Sequence, residues 1–383
     1  MYTPRQRVIT ALRREIPDRV PKFADFSPGI YDTFLKKTGV APPPRSPWSV
    51  WSANPVVTFE EDIGLSDPAE YFAYDVRIVE FGETGLEYDF SAYLPADLPP
   101  ERTRVDEWGI AWVRGSTHHF ETMVHPLASA KTIADLERYP WPDVTASYRR
   151  EAARQRIQQV QAKGCAALGW PPFVGGTFFE MAWRLRGLDT FLMDLITNQE
   201  FAACLLDKVG ELSISNSCFL AECGVDIVLT GDDVGMQDRL LISPAMWRKW
   251  IKPRYADLIS RVKAVNPNAL IFHHSDGYIE PIIPEFIEIG VEILNPIQPE
   301  CMDPVKIKRE YGDRLAFWGT VGTQTTFPHA TPAEMRALVK ERIETVGQGG
   351  GLLIAPTHKL QPEVPWENIV AFFEAVDEYG VYG

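Results

Sequence analysis

The sequence predicts an α/β protein, a (β/α)8 TIM barrel with a hairpin-containing insertion after its first strand. Three observations carry the prediction. From residue 147 onward, short apolar segments alternate strictly with amphipathic ones. Those apolar segments lack a polar face, which implies a parallel sheet covered on both sides. Polar, titratable residues recur at their carboxyl ends, where a barrel of this kind gathers its chemistry.

Each element has a local reason. Residues 3–15 read as a helix, with Thr3 as cap and Pro4 at the first helical position. Pro17 to Pro21 break it, and residues 20–26 follow as a first strand. Residues 40–145 are rich in proline and short alternating runs, such as 85–90 and 108–113. They read as an insertion with hairpins, a lid on one domain spanning 1–383. Helix 147–163 and strand 165–170 come next, then helical segments over 178–195 and 199–223. Strand 224–230 leads to helix 243–265, which opens with the cap Ser243 and Pro244. The pattern repeats as strand 269–274 with helix 279–289, strand 291–295 with helix 303–311, strand 314–319 with helix 332–347, and strand 351–356 with helix 365–379. These make seven strands, and an eighth fits residues 73–81, enough to close a barrel. An open doubly wound sheet is the alternative, but no GxGxxG follows the first strand to support it.

Composition narrows the function. At 383 residues, with 45% hydrophobic and 23% charged residues, the chain is that of a soluble globular protein. A net charge of −14 leaves no basic face for nucleic acid or an anionic membrane surface. The first residues lack the apolar core of a secretory signal, and no stretch approaches the roughly 18 apolar residues of a membrane helix. Five scattered cysteines without a CxxC pair fit reduced thiols, so a cytoplasmic location is expected, compatible with a homodimer.

The strand ends hold Asp25, Trp170, Asp232 with Asp233, His274 with Asp276, Asn295 with Gln298, Thr320, and His358; Gln237 lies in the loop after the two aspartates. Asp25, Asp232 and Asp233 are candidate catalytic carboxylates, the last two as a pair able to share a proton. Trp170, Gln237, Asn295, Gln298 and Thr320 are candidate substrate contacts. His274, Asp276 and His358 are metal-ligand types. A His-x-Asp pair leaving a strand directs both side chains to one point, because alternate residues share a face. Two imidazoles and a carboxylate leave positions open, as a catalytic zinc or non-heme iron requires. On spacing alone, a hydrogen-bonded His–Asp pair without metal stands equally open. His273 is expected to pack into the barrel wall, and His118, His119 and His125 to belong to the insertion.

The sequence resembles the uroporphyrinogen decarboxylase superfamily, and within it the corrinoid-dependent methyltransferase branch. The resemblance rests on Thr3-Pro-Arg-Gln-Arg-Val with Pro17-Asp-Arg-Val-Pro21, on Gly231-Asp-Asp-Val-Gly-Met-Gln237, and on Phe272-His-His-Ser-Asp-Gly277. Asn295-Pro-Ile-Gln-Pro299, Trp318-Gly-Thr and Leu353-Ile-Ala-Pro-Thr-His358 ahead of Val364-Pro-Trp-Glu-Asn368 extend it over nearly the whole chain. It implies a (β/α)8 barrel. The decarboxylases carry an arginine-rich motif after the first strand that grips porphyrinogen carboxylates. Here that place reads Phe23-Ala-Asp-Phe-Ser-Pro-Gly29, without an arginine. The methyltransferases bind zinc through a His-x-Cys pair and a later Cys, positions that match His274, Asp276 and His358. Both cysteines are replaced by other ligand types.

The resemblance implies a zinc-dependent methyltransferase that moves a methyl group between a small donor and a corrinoid (cobalamin) on a partner protein. No Asp-x-His-x-x-Gly segment that would bind a corrinoid is found in this chain. The harder ligand set favours an oxygen-bound methyl group, as in a methyl ether or a methanol-like compound. A metal-free decarboxylase using Asp25 and His358 is the alternative, and a non-catalytic ligand-binding barrel a third reading.

Overall fold

A computed structural model gives the fold and describes residues 2–41, 68–115 and 121–382. Ten strands occur among these residues. In chain order they are β1 (Val76–Glu80), β2 (Thr103–Val105), β3 (Ala111–Arg114), β4 (Glu121–Val124), β5 (Ala166–Trp170), β6 (Ile227–Gly231), β7 (Leu270–His274), β8 (Ile293–Asn295), β9 (Ala316–Trp318) and β10 (Leu352–Leu353). Seven of them form one curled parallel sheet in the order β1-β5-β6-β7-β8-β9-β10. Sequential parallel neighbours joined through helices are the signature of a TIM-barrel-like α/β fold.

The expected first strand, residues 20–26, makes isolated bridges without a continuous ladder. Lys22 pairs with Ile354 and Phe26 with Leu360, both parallel. Phe23 N–H donates to Ile354 O at 3.2 Å, while Asp75 N–H, just ahead of β1, donates to Lys22 O at 3.2 Å. The segment therefore hydrogen-bonds towards both edges of the sheet.

The strands are apolar on both faces because both faces are covered. Leu168, Leu229, Phe272, Ile293 and Leu353 point into the curl, where Val8 and Leu12 of the helix Pro4–Leu12 join them. Their neighbours Ala167, Val228, Ile271, Leu294 and Leu352 face the surrounding helices. Each fully buried leucine, isoleucine or phenylalanine contributes about 1.5–3 kcal/mol. A one-residue slip of any strand would forfeit several such terms at once, so the register is firm. In β7 that register separates His273 from His274.

Several boundaries differ from expectation. Helix 178–195 is two helices, Phe179–Arg186 and Leu188–Thr197, because Gly187 turns the chain at φ 91°. Helix 243–265 breaks at Ile251 into Pro244–Trp250 and Lys252–Val265; Pro253 has no N–H to continue the ladder. Residues 85–90 form no strand. The expected insertion 40–145 contains β1, a member of the main sheet, and the small antiparallel sheet β2-β3-β4 follows β1, not the segment 20–26. No helix among the described residues is long and apolar enough to cross a membrane.

A candidate metal centre at the carboxyl ends of the strands

Strand periodicity decides what reaches the mouth of the curl. Phe23, Ile78, Leu168, Phe272, Ile293 and Trp318 belong to the inner cluster. Two residues further along, on the same face, stand Asp25, Glu80, Trp170, His274, Asn295 and Thr320. In β6 the equivalent place is Gly231, where a Cβ would lie 2.7 Å from the His274 carbonyl oxygen. Glycine there lets β6 and β7 approach, and the chain beyond it swings Asp233 towards His274.

Asp233, His274 and Asp276 each offer a ligand atom within 4.8 Å of the others. His274 Nε2 lies 3.6 Å from Asp233 Oδ1 and 3.9 Å from Asp276 Oδ1. The Asp276 N–H donates to Asp233 Oδ1 at 2.8 Å, which ties the two loops together. Gly277, at φ 82°, turns the chain immediately after Asp276, and its N–H donates to Gln298 Oε1 at 3.0 Å. His358 sits beside this group, with Nε2 3.8 Å from Asp276 Oδ2 and its ring centre 6.4 Å from that of His274.

The imidazole of His274 is oriented from behind. Its Nδ1 is 2.6 Å from Asn295 Oδ1, and Asn295 Nδ2 donates to the Trp318 carbonyl at 2.8 Å. That second bond fixes which way the amide faces, so Nδ1 carries the proton and Nε2 is left to face the carboxylates. Burial pulls this imidazole towards neutrality, but Asp276, Asp233 and the Asn295 bond together outweigh it and hold it up at about 9. The site favours positive charge at Nε2.

The donor set fits a divalent ion. Asp276 Oδ1 is buried without a hydrogen-bond partner, and the His274 imidazole facing it stands 3.9 Å away, a spacing that leaves room for a cation between the two. Ligand atoms about 2.1 Å from a tetrahedral zinc would be about 3.4 Å from one another, close to the separations observed.

The remaining candidates separate by environment. Asp232 is buried and turned away from the mouth; it accepts from Tyr255 Oη at 2.6 Å, Glu180 N at 2.8 Å and Phe178 N at 3.2 Å. Burial, with Glu180 nearby, pushes its carboxyl up to about 7. Asp25 lies 3.7 Å from Lys359 Nζ at the sheet edge. Trp170 is half-buried against Phe173, their ring centres 6.1 Å apart. Thr320 is buried with its hydroxyl unpartnered, and Gln237 is exposed on the rim, donating to the Glu300 carbonyl at 3.3 Å. His273 packs between Tyr255 and Phe286, fully buried and held down at about 3 by burial, as strand alternation predicts. His125 binds the Arg184 carbonyl at 2.7 Å, while His118 and His119 lie outside the described residues.

Sequence reasoning misses two residues. Glu180 accepts the Asp233 N–H at 3.0 Å and pairs with Arg184, steadying the Asp233 loop. No sequence signal marks it, since it comes from a helix far from the motif. Glu80 could have been found, because it stands two residues beyond Ile78 on a strand and pairs in register with Trp170.

A curled parallel α/β sheet with a His–carboxylate cluster at the carboxyl ends of its strands places the molecule in the TIM-barrel-like class. The family model for uroporphyrinogen decarboxylase (URO-D) matches residues 106–379, and the chain belongs to that family. Among curated proteins it is similar to the methylcobamide:CoM methyltransferase MtaA of Methanosarcina barkeri, 26% identical over 210 residues, 54% of this chain and 58% of that protein. The chain thus spans little more than half the length of that methyltransferase. It is also similar to the uroporphyrinogen decarboxylase of Coxiella burnetii, 24% identical over 276 residues, 67% of this chain and 69% of that one. Among solved structures, a methyltransferase from Methanosarcina mazei shares the fold, with a TM-score of 0.69, 22% identity and 99% of both chains covered.

Proposed function

We propose that the chain is a metal-dependent methyltransferase that moves a methyl group between a small oxygen-bound donor, a methyl ether or methanol-like compound, and a corrinoid on a partner protein. The observation that carries this reading is the convergence of Asp233, His274 and Asp276 on one point, with Asp276 Oδ1 free of any hydrogen bond. Similarity to a methylcobamide:CoM methyltransferase supports the reaction class and the corrinoid partner.

His274, Asp276 and His358 would hold the ion, a zinc, with Asp233 as a fourth ligand. Zinc bound there supplies Lewis-acid polarisation of the donor oxygen. A set with two imidazoles and carboxylates donates less charge than a thiolate-rich one, and so suits an oxygen ligand. Asn295 holds His274 in its tautomer, Glu180 steadies Asp233, and Gln298 fixes the turn that carries Asp276. Trp170 and Gln237 line the approach for the donor, with Asp25 across the mouth and Thr320 buried behind it. We read the whole chain as a single (β/α)8 domain closed by residues 20–26.

The decarboxylase reading draws support from the Coxiella similarity. Residues 23–29 argue against a porphyrinogen substrate, because they hold no arginine to pair its carboxylates. Elemental analysis of the purified chain, followed by methylation of a cob(I)alamin carrier monitored through its visible spectrum, tests the proposal. Stoichiometric zinc and donor-dependent methylation are expected. A protein that binds no divalent metal at micromolar concentration would refute it.

A further inference from the structure

His358 is the least anchored member of the cluster. Its side chain is about half exposed, and among the described residues its ring makes no hydrogen bond. Its position therefore depends on the backbone beneath it, and a neighbouring loop holds that backbone. Thr357, buried immediately before it, has a hydroxyl that accepts the Thr323 N–H at 3.3 Å and lies 3.2 Å from the Thr323 hydroxyl. Its own N–H donates to the Val321 carbonyl at 3.0 Å. The loop that carries Val321 and Thr323 follows β9, and one carboxylate grips it. Glu300 Oε1 accepts from the Gln324 N–H at 3.2 Å, the Thr325 N–H at 3.1 Å and the Thr325 hydroxyl at 2.9 Å. A side chain at Gly322 would collide with that same oxygen, so glycine lets the loop close over it. Oε2 is buried and makes no hydrogen bond, so the grip runs through Oε1 alone.

The short loop after β8 that bears Glu300 also holds the other end of the cluster. Two residues earlier, Gln298 Oε1 accepts the Gly277 N–H at 3.0 Å and so sets the turn behind Asp276. The N–H groups of Cys301 and Met302 both donate to the Gln298 carbonyl, at 2.9 and 2.8 Å, which makes Gln298 and Glu300 parts of one tight turn. Asp276 Oδ2 and His358 Nε2, 3.8 Å apart, are thus spaced by a single loop that reaches both ways.

We propose that Glu300 is a positioning residue of the metal centre: by holding residues 322–325 it fixes Thr357, and through Thr357 it sets His358 opposite Asp276. The inference rests on the metal-centre reading above. Glu300 acts through the loop, since among the described residues it bonds none of the four cluster side chains itself. A ligand already held at its spacing binds an ion without first ordering a loop, which spares the conformational entropy of doing so.

A double-mutant cycle on the whole chain tests this, with zinc affinity read by competition against a chromophoric chelator. Glu300→Ala should weaken zinc binding by about 10–100-fold, the usual loss when the support of a ligand is removed. Glu300→Gln, which keeps an acceptor in place of Oε1, should stay within about threefold of wild type. In a His358→Ala background, Glu300→Ala should cost less than about twofold, because the ligand it positions is gone. Thr357→Val, which removes the hydroxyl that Thr323 holds, should show the same dependence on His358. With cobalt(II) in place of zinc, the visible spectrum of Glu300→Ala should shift towards that of His358→Ala. Melting curves check that each variant folds, and Thr357→Val decides the matter if Glu300→Ala does not. In a chain that binds zinc, three results would overturn the inference: equal losses from Glu300→Ala with and without His358, unchanged affinity in Glu300→Ala, or unchanged affinity in His358→Ala. Each of them leaves the metal-dependent reading standing. A wild-type chain that binds no divalent metal would refute that reading, and this inference with it.

Discussion

His274 and Asn295 are joined by a 2.6 Å contact between Nδ1 and Oδ1, and the asparagine is itself anchored to the Trp318 carbonyl at 2.8 Å. Partners of this kind orient a ligand ring and typically account for 10–100-fold in metal affinity. Asn295→Ala should therefore weaken zinc binding by about 10–100-fold without unfolding the chain. Competition with a chromophoric chelator measures it. Unchanged affinity would mean that His274 needs no orienting partner.

The four side chains of the cluster are not equally central. His274 and Asp276 each approach two others, whereas Asp233 and His358 flank them. His274→Ala and Asp276→Ala should lose the metal outright in equilibrium dialysis. Asp233→Ala and His358→Ala should keep it at reduced affinity. Wild-type affinity in His358→Ala would remove that residue from the ligand set and leave the tighter Asp233–His274–Asp276 group.

The harder ligand set has a kinetic consequence. Asp276→Cys should keep metal, because thiolate is also a ligand, yet slow transfer from an oxygen-bound methyl group. Thiolate donates more charge, and about 1–2 kcal/mol of lost transition-state stabilisation slows the step roughly five- to thirtyfold. Single-turnover methylation of a cob(I)alamin carrier reads this directly. A rate equal to wild type in Asp276→Cys would show that the carboxylate does not tune the ion.

Glu80 should leave a mark on stability. Its carboxyl is raised to about 7, chiefly by burial, from an ordinary value of 4.5. Between those values the folded chain keeps a proton that the unfolded chain has released. Stability therefore falls as pH rises through this window, and the penalty is fully present above about 7. Glu80→Gln removes the titration, so its melting temperature relative to wild type should rise from pH 4.5 to pH 8. Parallel pH profiles for the two proteins would show that Glu80 titrates normally.

Uroporphyrinogen should not be decarboxylated at a useful rate. Burying several carboxylates without cationic partners costs several kcal/mol each, and residues 23–29 supply no arginine. Anaerobic product analysis checks this, and clear formation of coproporphyrinogen would reverse the choice between the two reactions.

Much of this was legible in the chain itself. The apolar strands after residue 147 and their polar ends are local patterns, and strand alternation alone separates His273 from His274. The His-x-Asp spacing likewise places His274 and Asp276 on one side of β7, because period two is a property of any extended backbone. What the sequence could not decide was distance between segments. Asp232 and Asp233 are adjacent and chemically identical, yet one is buried under Tyr255 and the other turns towards His274. That choice depends on the close approach of β6 and β7 at Gly231 and on Glu180 from a separate helix. Glu80 became part of the mouth only when β1 paired with β5 in the main sheet. Local periodicity sets which face a side chain takes; only the packing of strands distant in sequence sets which other side chains it meets there.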